Sequence, residues 1–231
     1  MSAEWPGADK RRPRRSLSNW SVREPLARWL EEEGSRAGGL RILDVGCGEK
    51  PYRPYFAEAA EYVGVDIDEH ANADLIGPVE ALPVEDESFD LVLCLQVLEH
   101  ADDPAAGVRE LHRVVRPGGR VLAATHGMYV YHPSPVDYWR WTHTGLERLF
   151  RAGGDWRSIS VEPGAGTTAA IGLLVGLYLG HLSERAHAAW AGRAANWAIN
   201  GAAAAIDAHS PLLREARPGS LTVNFHVTAE R

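Results

Sequence analysis

Hydrophobic positions along the 231-residue chain fall into two alternating kinds of run. Short apolar, β-branched runs occupy 40–46, 62–66, 89–95 and 120–125, with a brief one at 74–76. Between them, apolar residues recur at helical spacing. Val22, Leu26, Trp29 and Leu30 form one such face across 22–33, with Gly34 as its stop. A helix over 104–115 has Pro104 in its first turn and Pro117-Gly118-Gly119 after its end. Another runs from a Thr142 cap to about 152, stopped by Gly153-Gly154. The segment after the first strand is compatible with a helix, and two last strands fall at 157–161 and 221–229. Strands that alternate with helices predict βαβ units and a largely parallel sheet. Right-handed crossovers then put helices on both faces. Such sheets bind ligands beyond the carboxyl ends of their strands, so the loops after Val45, Asp66, Ile76, Leu95 and Thr125 are where chemistry is expected.

The length suits one domain, read here as 17–231. Residues 1–16 carry Lys10, Arg11, Arg12, Arg14 and Arg15 around Pro13 and read as a disordered basic tail. An Ala/Gly-rich helical insertion is expected at 164–206, between the last two strands. Its Gly172, Gly176 and Gly180 repeat at a spacing that lets helices pack closely. The uncharged stretch 163–183 approaches membrane-spanning length, but five glycines interrupt it, so no stable span is expected. The insertion reads as a hairpin that is buried or forms a homodimer; the competing reading is a platform for a lipid-linked acceptor at a membrane surface. Twenty-four basic against 31 acidic residues leave −7, which counts against nucleic-acid binding. Two cysteines, Cys47 and Cys94, and no apolar leader give a cytoplasmic expectation.

The first loop carries Asp44-Val-Gly46-Cys47-Gly48, where glycines let the backbone approach a ligand closely. Asp66 ends the second strand, where a carboxylate can accept from two ribose hydroxyls. That geometry serves several nucleotides. A dinucleotide fingerprint would need a third glycine where Pro51 stands, and Glu49 would repel a pyrophosphate at that site. A sulfonium cofactor without phosphate suits Asp44 and Glu49 better.

Six segments stand in order: 42–48, 63–66, 80–83, 88–92, 97–100 and 111–119, including Ile42-Leu-Asp-Val-Gly-Cys-Gly48 and Leu111-His-Arg-Val-Val-Arg-Pro-Gly-Gly119. Together they resemble the class I SAM-dependent methyltransferases of the type 11 group, over about residues 38–160. The resemblance implies a Rossmann-like α/β fold, with a seven-stranded mostly parallel sheet and an antiparallel last strand. It implies S-adenosyl-L-methionine as cofactor. Asp44, Gly46, Cys47 and Gly48 would line its methionine end, Asp66 its ribose and Ile67 one adenine face. Glu80, Ala81 and Leu82 would flank the adenine edge, and Gln96 and Val97 the methyl-transfer side. Two departures stand out. The family has a glycine near Lys50, and it often has an aspartate at Pro78, so adenine recognition would rest on backbone near 79–81.

Loop 126–143 follows the fifth strand and is dense in His126, Tyr129, Tyr131, His132, Asp137, Tyr138, Trp139, Arg140, Trp141 and His143. Long loops of this kind serve as lids or binding loops. The plainer alternative is aromatic cover for the sheet. His126, at the strand's carboxyl end, is the first candidate for a general base, and His132 is the second; no metal site is expected. The function read from these features is methyl transfer to a small-molecule acceptor, such as a hydroxyl on a sugar, glycan precursor or natural product. Two alternatives stand beside it: a nicotinamide-dependent Rossmann oxidoreductase, and a methyltransferase-like binding module without turnover.

Overall fold

The computed structural model describes residues 5–133 and 135–231. Its seven strands are β1 (Arg41–Val45), β2 (Glu61–Asp66), β3 (Leu75–Ile76), β4 (Phe89–Leu95), β5 (Val115–His126), β6 (Ser158–Pro163) and β7 (Asn224–Glu230). They lie in the order β3-β2-β1-β4-β5-β7-β6. The first five are parallel, and β7 runs antiparallel to both β5 and β6. Strand order reverses between β1 and β4, which sets the ligand cleft beyond Val45 and Leu95. The expected strands are all present, and β5 extends back through Pro117-Gly118-Gly119 to Val115.

The sheet is buried on both faces, as its apolar strands require. On one side Leu43, Val45, Val92, Cys94 and Val121 pack against helices α3 (Pro104–Val114) and α4 (His143–Gly153) through Val108, Leu111, Leu146 and Phe150. On the other, Ile42, Leu91, Leu93, Leu122 and Ala124 pack against helix α2 (Trp20–Gly34) through Leu26 and Leu30. Each fully buried Leu or Phe contributes roughly 1.5–3 kcal/mol. Asp103 caps α3 by accepting from Ala105 N and Ala106 N, and Thr142 caps α4 by accepting from Gly145 N.

The chain after β1 is not a helix. It is a turn-rich loop that ends in one 3-10 turn at Arg53–Phe56. Gly46, Gly48 and Lys50 all have positive φ, and Pro51 and Pro54 remove two backbone donors that a helix would use. Lys50 is the residue that stands where a glycine was expected, and it adopts the left-handed conformation nonetheless (φ 50°). Its side chain crosses Gly64 on β2 and ends 2.6 Å from Asp74 Oδ2.

That irregular loop explains a second difference. Residues 5–16 are not a free arm. They include helix α1 (Ala8–Arg11) and dock on the loop. Trp5 Nε1 donates to Lys50 O at 2.8 Å, Arg11 donates to Pro51 O at 2.5 Å, and Tyr55 Oη donates to Arg11 O at 2.9 Å. A helix would have satisfied those carbonyls itself. The 1–4 part of the expected tail lies outside the described residues.

The insertion forms helices α5 (Thr167–Arg185) and α6 (Ala189–His209), followed by the short α7 (Pro211–Arg214). Gly172 and Gly176 of α5 admit Ile199 and Asn196 of α6 at close range. Asp207 of α6 accepts from Thr168 N and Ala169 N at the start of α5. Asn200 Nδ2 donates to Arg15 O and Leu17 O, which ties the hairpin to the N-terminal segment. Ile171, Leu174, Val175, Tyr178, Trp190 and Trp197 stay exposed on the outer face. Among the described residues, no helix is long and apolar enough to cross a membrane.

Gly64→Ala tests the lysine crossing. A Cβ there would collide with Lys50 Cε and stand 2.7 Å from Cys47 Sγ. Urea denaturation is expected to show a loss of about 1–3 kcal/mol. Wild-type stability in this variant would mean that the crossing is not tightly packed.

Candidate functional site

The carboxyl edge of the sheet carries a cleft with two lobes. One, of about 370 Å³, is lined by Asp44, Gly46, Cys47, Gly48, Tyr52, Leu95, Gln96, His126, Tyr129 and His132. The other, of about 210 Å³, is lined by Gly46, Asp66, Ile67, Pro78, Val79, Glu80, Gln96, Val97, His100 and Asp102. Gly46 and Gln96 belong to both lobes and mark their junction. The cleft is open, the arrangement expected of a working site rather than of an occluded binding module.

Local structure explains how the junction is held. Gly46 has φ 68°, and a Cβ on it would collide with Val97 Cγ2, so only glycine lets the loop lie against β4's exit. Gly48 also has positive φ, with open space where its Cβ would be. Asp66 braces this loop: Oδ2 accepts from Gly48 N at 2.8 Å and Oδ1 from Asp68 N at 3.0 Å. Each oxygen keeps a lone pair for a ligand. Gln96 leaves β4 in a left-handed conformation (φ 59°) while its N donates to Ala124 O at 2.7 Å. Its Nε2 donates to Asn224 Oδ1 at 2.9 Å, and its Oε1 is buried without a partner.

Asp44 sits beneath the first lobe, 4% exposed, and accepts from Tyr62 Oη at 2.7 Å. Burial pushes its carboxyl up to about 7. Glu99 is fully buried; its Oε2 accepts from Thr125 Oγ1 at 2.8 Å, and burial raises its carboxyl to about 7. His126 Nε2 lies 3.5 Å from Glu99 Oε1. The His126 ring stacks on Tyr129 at 4.1 Å, and its Nδ1 is buried without a partner. Burial pushes this imidazole down to about 3, so it is neutral. Glu99 Oε1 is also buried without a hydrogen-bond partner, so the imidazole and the carboxyl stand side by side rather than bonded.

Most of the sequence-derived site residues meet in the cleft. Asp44, Gly46, Cys47, Gly48, His126 and His132 line one lobe, Asp66, Ile67, Glu80 and Val97 the other, and Gln96 both. Two do not. Ala81 N donates to Pro78 O, and Leu82 is buried with its N donating to Glu110 Oε2 at 2.8 Å. Ala81's amide closes a turn and Leu82's binds Glu110 of α3, while Pro78 and Val79 line the second lobe.

The loop aromatics divide. Tyr129 lines the cleft, whereas Trp141 packs on the sheet core and stacks with Trp139 at 5.8 Å. Tyr138 and Trp139 donate their backbone N–H groups to Glu99 O, and Trp139 Nε1 donates to Ala101 O. Trp141 thus covers the sheet, whereas Tyr138 and Trp139 stay exposed. Sequence reasoning missed the contribution of α2 and the segment before it, whose Asn19, Val22, Arg23 and Leu26 wall the first lobe. The one signal was Arg23 next to the apolar face of a helix. It also missed that His100, His132 and Asp137 bring ligand atoms within 4.8 Å of one another.

Comparisons with known proteins agree with this geometry. The family described as a methyltransferase domain matches residues 43–123. The chain is 30% identical to a ubiquinone biosynthesis O-methyltransferase of Acinetobacter baylyi and 35% to one of Pseudomonas syringae. Each alignment covers 42% of this chain and 48% of the relative. The chain thus spans about half the length of the curated relatives it matches. Among solved structures, a SAM dependent methyltransferase from Archaeoglobus fulgidus aligns over 96% of this chain and 97% of its own, with TM-score 0.57 and 15% identity. The [4+2]-cyclase SpnF aligns over 89% and 81%, with TM-score 0.53 and 20% identity. These two likenesses speak to fold alone.

Asp44 yields a pH prediction. Its folded pKa is raised from 3.8 to about 7, so the folded state binds this proton more tightly than the unfolded state. Its contribution to stability is present in acid and lost as pH rises toward 7. Asp44→Asn removes that titration. Between pH 5 and pH 8 the wild type should lose about 2 kcal/mol relative to the variant. Parallel pH dependence of the two in chemical denaturation would refute the assignment.

Proposed function

We propose that this chain, a member of the class I SAM-dependent methyltransferase family, moves a methyl group from SAM to a hydroxyl of a small, ring-bearing acceptor. The observation that carries the proposal is the junction at Gly46 and Gln96, where a cofactor-shaped lobe meets a lobe that ends in the His126–Glu99 pair. The residues present fit the cofactor. Asp66 keeps acceptor capacity for two ribose hydroxyls, and Ile67, Pro78 and Val79 offer an apolar slot for adenine. Open space above Gly48 gives the methionine end room beside Asp44. No group in this loop demands a phosphate, and Pro51 stands where a dinucleotide site would need its third glycine.

When bound, SAM supplies a methyl group on a positively charged sulfur. The chain's own part is placement and proton removal. Val22, Leu26, Tyr52 and Tyr129 form an apolar wall suited to the face of a ring, with Leu95 at its base. A hydroxyl on that ring, set at the junction, can give its proton to His126, whose Nε2 lies 3.5 Å from Glu99 Oε1. Close placement and exclusion of water account for much of the rate in such a displacement. A hydroxyl acceptor also accords with the printed name of the O-methyltransferase relatives. A sugar, glycan precursor or natural product is the acceptor class proposed.

Two variants separate the halves of this proposal. Asp66→Ala should weaken SAM in calorimetry by roughly 1.5–3 kcal/mol, because a charge-assisted acceptor is lost; unchanged affinity would displace the ribose site. His126→Ala should lower turnover roughly 10²–10⁴-fold with SAM affinity nearly intact, since a base acts on the acceptor's proton. A wild-type rate in that variant would remove His126 from the chemistry.

A further inference from the structure

We infer that His100, His132 and Asp137 bind a divalent first-row transition-metal ion at the junction of the two lobes, where it ligates the acceptor's hydroxyl. The site rests on geometry; the acceptor's place in it rests on the function proposed above.

The three residues come from different parts of the fold. His100 follows β4 and lines the cofactor lobe, while His132 belongs to the loop after β5 and lines the acceptor lobe. Asp137 lies further along that loop, with its side chain 1% exposed. Their ligand atoms already lie within 4.8 Å of one another. Metal–ligand bonds of about 2.0–2.2 Å put ligand atoms roughly 3–4 Å apart. Closing the difference takes a shift of about 1 Å, within reach of the His132 ring, which is one-third exposed.

The protonation pattern suits a metal. His100 Nδ1 stands 2.8 Å from Val136 O. A carbonyl can only accept, so Nδ1 carries the hydrogen and Nε2 the lone pair. That is the arrangement by which metal-bound histidines are fixed. Arg140 grips Asp137 through both oxygens at 2.5 Å. A carboxylate has about four lone-pair sites. Arg140 takes two and His132 N takes one at 3.1 Å, which leaves one on Oδ1. Arg140 thus orients the ligand without exhausting it.

A second observation is unused ligand capacity beside the cluster. His132 Nδ1 is buried, 3.1 Å from Asp137 Oδ2, yet makes no hydrogen bond. His126 Nδ1, in a residue only 5% exposed and lining the same lobe, has none either, and Glu99 Oε1 behind it is also unpartnered. Buried ring nitrogens and a carboxylate oxygen left without partners are costly unless a ligand serves them. Two imidazoles and one carboxylate favour a transition metal over magnesium or calcium, which take oxygen ligands. Three protein ligands leave open positions, as in catalytic sites. One of these is for the acceptor. Ligation weakens the hydroxyl's O–H bond. The proton passes to His126, the oxygen's electron pair forms the bond to the methyl carbon, and the pair of the breaking carbon–sulfur bond stays on sulfur.

The test uses the full chain, stripped with EDTA and titrated with Co²⁺ and Zn²⁺. The expected result is one ion per chain by elemental analysis and visible Co²⁺ absorption displaced by Zn²⁺. His100→Ala, His132→Ala and Asp137→Asn should each weaken binding roughly 10–100-fold. Thermal melts and SAM calorimetry on the same samples show that each variant is folded and its cofactor lobe intact; a variant that fails either is replaced by His100→Gln or His132→Gln. No stoichiometric binding by the wild type, or undiminished binding in a folded His100→Ala/His132→Ala double variant, overturns the site. If the ion binds but EDTA leaves methyl transfer unchanged, its role at the acceptor is overturned, while intact SAM binding keeps the methyltransferase reading separate.

Discussion

Lys50 folds its side chain across Gly64 to reach Asp74, and it does so from a left-handed backbone. That crossing fixes the loop after β1 in a non-helical path. Lys50 Nζ is nearly buried and shares Asp74 Oδ2 with Gly64 N, so the pair also pins β2 to the approach of β3. A loop held open in this way leaves the carbonyls of Lys50 and Pro51 without helical partners. Trp5 and Arg11 supply the donors, and the N-terminal segment is drawn onto the loop. That segment leads into α2, which brings Val22, Arg23 and Leu26 over the carboxyl edge. One unusual residue in the loop after β1 is thereby linked to the element that walls the first lobe.

The carboxyl edge concentrates polar groups that the fold does not satisfy internally. Of the eleven buried side-chain polar atoms without a partner among the described residues, five belong to Gln96, Glu99, His126, His132 and Asn224, where β4 and β5 end and β7 begins or in the loop just beyond. A sheet interior this apolar tolerates such atoms only at a cost of about 1–3 kcal/mol each. Those five stand at the rim of the cleft, where a ligand can meet them.

Much of this is legible in the sequence. Periodicity locates all seven strands and most helices because the sheet is covered on both faces and its helices have one clean apolar stripe. The cofactor residues are legible because glycine at Gly46 and an acid at Asp66 answer local demands of a strand end. The loop after β1 reads as helix-compatible and is not a helix, since the consequence of Lys50 depends on Gly64 and Asp74, residues remote in sequence. The basic N-terminal segment reads as a tail because its partners are backbone carbonyls, which leave no trace in composition. Ala81 and Leu82 fall outside the cleft because their amides close a turn and bind Glu110. His100, His132 and Asp137 are invisible as a set for a related reason: two loops bring them together, and no spacing rule connects them.

The insertion of α5 and α6 enters and leaves between two antiparallel neighbours. Pro163 at the end of β6 is in register with Phe225 near the start of β7, and Gly164 N donates to Asn224 O at 2.7 Å. The two mouths of the insertion are thus already side by side. Closing a chain between fixed, adjacent ends costs entropy only logarithmically in its length, about 0.6 kcal/mol per doubling. Segments of very different size can be exchanged at this point with little effect on the sheet. Because Asn224 stands beside His126, any such segment emerges at the cleft's rim. Here it packs Ala170 and Leu173 on Val22, against Met128 and Tyr129. The fold thus has a position where the shape of the first lobe can diversify without renegotiating the second.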